Sequence, residues 1–164
     1  MTISNRSYGL AGWIAAGFGS GWLPKAPGTW GSLASLLPAW LLLQQFGSIG
    51  LLIAALLVSI IGCWVCAIIL PKMVANDPGW IVIDEWAGQW FCLAILVFYR
   101  GLTPEVFVLA FIAFRLLDIF KPWPISRAEH IGPHWWSIMA DDVVAGIIGG
   151  AIVLAGYGLW AWVA

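Results

Sequence analysis

Residues 48–70 read SIGLLIAALLVSIIGCWVCAIIL, 23 positions without a charged side chain. At 1.5 Å of rise per residue a helix of that length covers about 35 Å, enough to cross a hydrocarbon core of about 30 Å. A strand does not fit, because strands usually run about 5–6 residues. The rest of the chain has the same character: 62% of its 164 residues are apolar, 9% are charged, and 13 are tryptophan. Soluble domains are about 45–50% apolar and about 25% charged, so a water-soluble globule is excluded. The length suits one domain, residues 1–164.

Four further apolar runs flank the first: 31–44, 86–99, 105–120 and 143–164. The expected fold is all-α, an integral membrane bundle of about four to five transmembrane or partly embedded helices. Runs 48–70 and 143–164 are long enough to span alone, and the other three are shorter. Pro38 is expected to kink the first helix. Gly146-x-x-x-Gly150 in the last run gives a small-residue face on which another helix can pack closely.

The basic residues fix an orientation. Arg6, Lys25, Lys72, Arg115, Lys121 and Arg127 fall on one set of connections or beside it, and Arg100 alone falls on the other set. If all five runs cross, the richer set lies on one side, and the positive-inside bias makes that side cytoplasmic. Met1 to Tyr8 is short and polar, without the apolar core of a cleaved signal peptide. A formal net charge of −1 gives no sign of nucleic-acid binding. Cys63, Cys66 and Cys92 lie inside apolar runs and read as packing residues, and none begins a Cys-x5-Arg motif.

Against this background the acids stand out. Five of the eight fall in three clusters at the ends of apolar runs: Asp84-Glu85, Asp118 and Asp141-Asp142. Ionisable groups at membrane depth are expensive and mark function by default. Carboxylates gathered beside lysine and arginine point to a divalent cation holding a phosphorylated ligand. Each cluster also has a structural explanation. Asp84 and Glu85 can complement a helix macrodipole. Arg115, Asp118 and Lys121, spaced i, i+3, i+6, can form an internal ion pair with the lysine snorkelling to head groups. Helix capping can explain one of Asp141-Asp142 but not both. Asn76-Asp77-Pro78-Gly79 reads as a turn. The loop GFGSGWLPKAPGTWGS, residues 17–32, offers Lys25 and the N-cap residue types Thr29 and Ser32. His130 and His134 are separated by Gly132-Pro133, so a zinc site on one helical face is not expected.

GFGSG with PGTWGS, VIDEWAG, FRLLDIFKPWPI and IMADDVVAG, in this order between Gly17 and Gly150, resemble the phosphatidylglycerophosphatase A family. The resemblance implies a small inner-membrane enzyme that hydrolyses phosphatidylglycerophosphate to phosphatidylglycerol with Mg²⁺. Carried over by position, the family's acids fall on Asp84, Glu85, Asp118, Asp141 and Asp142, its basic residue on Lys121, and its loop residues on Pro27, Gly28, Thr29 and Ser32. The expected metal ligands are Asp84, Glu85, Asp141 and Asp142, and the expected catalytic residues Asp84, Asp118, Lys121 and Asp142. Lys25, Thr29, Ser32, Arg115 and Lys121 are expected to bind the substrate phosphate. One departure is that Gly132-Pro133-His134-Trp135-Trp136-Ser137 stands where the family has a glycine-rich stretch. Two other readings remain open at this point. A phosphatase using His and Arg lacks its Pro-Ser-Gly-His stretch here, and a cation transporter or channel would place its acids near the bilayer midplane.

Overall fold

A computed structural model describes residues 8–73 and 78–163. Arg6, the Met1–Ser7 portion of the polar leader, and Asn76-Asp77 of the proposed turn lie outside the described residues. Among these residues the fold is all helical, as expected: α1 (Gly9–Ala15), α2 (Pro27–Ile69), α3 (Ile83–Arg100), α4 (Pro104–Phe120), α5 (Ile125–Ala128) and α6 (His134–Val163). The chain is a membrane protein built as a helical bundle, with α2 and α6 each long and apolar enough to cross a bilayer.

The 43 residues of α2 are two helices joined at Gly47, whose φ of 65° and ψ of −169° are non-helical. Glycine adopts that backbone without a Cβ penalty. The break reverses the chain. Gly31, sixteen residues before it, packs on Val82, while Gly62, fifteen residues after it, packs on Met139 and Ile83. The two arms, 27–46 and 48–69, therefore return to the same level of the bundle. The sharp break lies at Gly47 rather than at Pro38, which sits within helical backbone.

Two helix starts differ from expectation. Pro27 occupies the first turn of α2 and Ala26 the cap position, with no side-chain cap, so Thr29 and Ser32 lie inside the helix rather than capping it. Ser32 Oγ instead donates to the Gly28 carbonyl at 2.9 Å. Helix α6 begins at His134, nine residues before the apolar run, so Asp141 and Asp142 lie in its third turn and not at its edge. The apolar run starts later than the helix because the first turns of α6 carry polar residues on one side, which face the interior described below.

Helices α3 and α6 form the centre of the bundle. They meet at Gly88 and Gly146, where a Cβ on Gly146 would collide with the Gly88 carbonyl, and a Cβ on Gly88 would lie 2.5 Å from the Asp142 carbonyl. The small-residue face of α6 thus acts in packing, as expected, with Gly150 against Ile95 and Cys92. On each helix the residue one turn N-terminal to that crossing is an acid: Asp84 before Gly88, Asp142 before Gly146. Helix α4 closes the side of the pair. Phe114 is fully buried against Gly88, and the Cys92 thiol lies 3.5 Å from the Ala110 carbonyl. At the opposite end the Tyr157 hydroxyl donates to Glu105 at 2.6 Å, and the Arg100 guanidinium lies 4.1 Å from the Tyr157 ring centroid. This contact joins the far ends of α3, α4 and α6.

Gly146→Ala is expected to destabilise the protein by about 1–3 kcal/mol through overpacking and to separate Asp142 from Asp84. Gly156→Ala, where a Cβ meets nothing within 4 Å among the described residues, is expected to be neutral. Thermal unfolding of both variants in detergent checks the pair; equal melting temperatures would contradict the crossing.

Candidate active site

The N-terminal ends of α3 and α6 and the C-terminal end of α4 converge at one end of the bundle on a cavity of about 370 Å³. Asp84 and Glu85 enter it from the first turn of α3. There the helix N-terminus favours negative charge, and the Glu85 amide donates to Asp84 Oδ1 at 3.0 Å. Asp142 enters from α6. One carboxylate oxygen each from Asp84, Glu85 and Asp142 lie within 4.8 Å of one another. Three acids from two helices meet here because the glycine crossing one turn deeper holds those helices together.

Arg115 supports this trio from α4. Its Nη1 is 2.6 Å from Asp118 Oδ2 and 3.9 Å from Glu85 Oε1, and it donates to Ser32 Oγ at 3.4 Å. The Asp118 carboxyl in turn neighbours that of Asp142. Gly28 allows α2 to approach: a Cβ there would collide with Glu85 Oε1 and lie 3.3 Å from Arg115 Nη1. Glu85 Oε2 is buried and has no hydrogen-bond partner among the described residues. A buried polar atom left without a partner is costly, so such atoms mark places where a ligand is accommodated.

Lys121 and Asp141 form a second pair beside the trio. Lys121 caps α4 in the left-handed conformation, with φ 41°. Its Nζ lies 2.6 Å from Asp141 Oδ2 and 3.5 Å from Glu129 Oε1. It does not snorkel outward. Burial lowers its pKa, but the hydrogen bond and charge of Asp141, with Glu129 and Asp142, more than offset this and hold it above the ordinary value of 10.5. Asp141 Oδ1 is buried without a partner among the described residues.

Of the acids read from sequence, Asp84, Glu85 and Asp142 come together, Asp118 stands beside them, and Asp141 turns to Lys121. Arg115 and Lys121 both reach the carboxylates. Ser32 is fully buried behind Arg115, and Thr29 and Lys25 do not line the cavity. Lys25 is exposed on the loop before α2. The titratable lining residues outside the expected site are Glu129, which carries no signal in the sequence, and His130 and His134, which the sequence offers only as a histidine pair disfavoured for zinc by Gly132-Pro133. Glu129 follows Lys121 by eight positions across α5. No helical or strand period links the two, so only the fold of the 121–134 segment reveals their contact.

A purely structural bundle gains nothing from burying carboxylate oxygens that lack partners among the described residues, as Glu85 Oε2 and Asp141 Oδ1 do. Fold and pocket together define a membrane-embedded enzyme. The chain belongs to the phosphatidylglycerophosphatase A family, whose match covers residues 13–157, and it is a phosphatase. It is 38% identical to a phosphatidylglycerophosphatase A of Haemophilus influenzae over 142 residues, 87% of this chain and 85% of the relative. It is 36% identical to the Escherichia coli phosphatidylglycerophosphatase A over 85% of this chain and 79% of that protein. A candidate phosphatidylinositol-3-phosphatase of Bacteroides thetaiotaomicron is also 36% identical, over 82% of this chain and 85% of the relative. No solved structure matches the chain.

A double-mutant cycle of Lys121→Met and Asp141→Asn should show coupling of about 0.5–3 kcal/mol in unfolding free energy. A lysine pKa raised on folding stabilises fully below its unfolded value, and that contribution is lost as pH rises through the folded value. The coupling should therefore be constant from neutral pH to about pH 10 and fall only above it. Chemical denaturation across that range measures it, and additive single mutants would contradict the pairing.

Proposed function

We propose that the chain hydrolyses the terminal phosphomonoester of phosphatidylglycerophosphate to phosphatidylglycerol and inorganic phosphate in phospholipid biosynthesis, using Mg²⁺. The observation that carries this reading is the Asp84–Glu85–Asp142 trio, with its oxygens within 4.8 Å, at the end of an apolar bundle. The substrate named by two relatives presents its phosphate at the membrane surface while its chains remain in the bilayer, which suits a charged pocket at a helix end.

The donor set fits Mg²⁺, a hard cation that takes oxygen ligands, usually only one or two carboxylates plus waters and phosphate oxygens. Asp84, Glu85 and Asp142 would hold it, and Glu85 Oε2 has an unused lone pair for this. When bound, the ion would supply Lewis acidity to the phosphoryl oxygens. The protein's own groups do the rest. Arg115 fixes Asp118 and Glu85 in place from behind. Lys121 carries positive charge into the cavity and offsets charge on the transferring phosphoryl group, while Asp141 and Glu129 hold its ammonium in position. Hydrolysis joins the oxygen of water to phosphorus and breaks the bond from phosphorus to the glycerol oxygen, which takes up a proton.

We place the pocket on the cytoplasmic side of a multi-pass protein in the bacterial inner membrane. Arms 27–46 and 48–69, α3, α4 and α6 run alternately in opposite directions, which puts Lys25, Lys72, Arg115, Lys121 and Arg127 at the pocket end and Arg100 at the other. The positive-inside bias then gives the orientation. A cation pathway would need acids near the bilayer midplane, whereas the clustered acids gather at one end.

Asp84→Asn and Asp142→Asn are each expected to lower phosphate release from phosphatidylglycerophosphate by about 10²-fold or more, on the scale of removing one transition-state-stabilising group. Lys25→Ala, exposed and off the cavity, should change it less than about threefold, within the range of a surface substitution. EDTA should abolish activity and added Mg²⁺ restore it. Full activity in both Asn variants, or in EDTA, would refute the proposal.

A further inference from the structure

The first eleven residues of α6 form a wall between two cavities of opposite chemistry. One side of the wall carries Ser137, Asp141 and Asp142 of the acid cavity. The other side carries Trp135, Trp136, Met139, Ala140, Val143 and Val144, which line an apolar groove of about 490 Å³ between α6 and the second arm of α2. From His134 to Val144 each residue lines one cavity or the other. Across the groove stand Leu56, Ser59, Ile60 and Cys63 of α2, with Phe91 of α3 as the floor.

We infer that this groove holds an acyl chain of the lipid whose phosphate occupies the acid cavity, an inference that rests on the proposed phosphatase reading. The chemistry on the two faces of one helix points to the occupant. A lipid phosphomonoester has an anionic end and a hydrocarbon end, and so matches both compartments. The route between them is short, passing over the start of α6, where His134 belongs to the acid cavity and the next two residues to the groove. Trp135 and Trp136 are half-exposed at that edge, where aromatic rings suit the water–hydrocarbon boundary. Hydrocarbon gains little by moving from bilayer to protein, because lipid tails are as apolar as leucine. The groove's contribution is therefore orientation: a chain held there keeps the head group from rotating away from the carboxylates.

Photolabelling tests the occupant without requiring turnover. Phosphatidic acid carrying a diazirine at the end of one chain is bound to the purified wild-type protein, irradiated, and the labelled residues are mapped by mass spectrometry. Label on 56–63 and 139–144, displaced by excess dioleoyl phosphatidylglycerophosphate but not by dioleoylglycerol, is the expected result. Label displaced by both lipids or by neither means that ordinary bilayer lipid fills the groove, and overturns the inference, as does label confined to other residues. Groove-filling variants give a second readout. Ser59→Leu and Ala140→Phe should each lower kcat/KM for the dioleoyl substrate by about tenfold, the scale lost when orientation is relaxed, and leave hydrolysis of the deacylated head group unchanged. Equal effects on both substrates, or none, overturn it. If the wild-type protein hydrolyses neither phosphate, the phosphatase reading fails while the labelling pattern still reports on the groove.

Discussion

The close contact of α3 with α6 at Gly88 and Gly146 governs the rest of the molecule. Without side chains at the crossing, two backbones approach to within van der Waals range, and the residues one turn beyond are carried into the same small volume. Those residues are Asp84 and Asp142. Two like-charged side chains would separate if their helices were free to do so, so their meeting depends on packing that neither carboxylate supplies. Phe114 of α4 seals the contact from the side, and the Arg100–Tyr157–Glu105 contact holds the far ends of the same three helices. The bundle is thus tied at its middle and at one end, and its acids gather at the other.

The charges of the site are compensated in different ways according to their helices. Asp84 and Glu85 lie at the positive end of α3 and need less help from side chains. Asp118 lies near the negative end of α4, where a carboxylate is disfavoured, and there Arg115 approaches to 2.6 Å. Asp141 lies inside α6, away from either terminus, and takes Lys121. Among the described residues Asp142 has acidic neighbours, Asp118, Asp84 and Asp141. The cation proposed above has most to offer at that position.

Much of this was legible in the sequence. Uncharged runs of spanning length gave the helical bundle, and adjacent acids in so apolar a chain drew attention to the site because few charges compete for notice. The division of labour between Asp141 and Asp142 was not legible. Neighbours on a helix point about 100° apart, but which of them meets Lys121 depends on the left-handed turn at Lys121 itself. Glu129 has no signal because it lies in an irregular segment with no period to place it, and His130 reads only as half of a histidine pair that Gly132-Pro133 separates. The start of α6 was not legible because Asp141 and Asp142 interrupt the apolar run, although Trp135 and Met139 already mark an apolar face beside the polar one. The reversal at Gly47 falls in the short connection expected between runs 31–44 and 48–70.

That reversal bears on how the chain enters a membrane. The two arms of α2 are joined through Gln44, Gln45, Phe46, Gly47 and Ser48, none of them charged, while Lys25 and Lys72 flank the hairpin's open ends. Such a hairpin can insert as a unit, its uncharged tip passing through the hydrocarbon while both lysines stay where they began. In the multi-pass arrangement proposed above, no ion has to be translocated for the first two crossings, and the sidedness of the later helices, including the three that hold the carboxylates, follows from that first insertion.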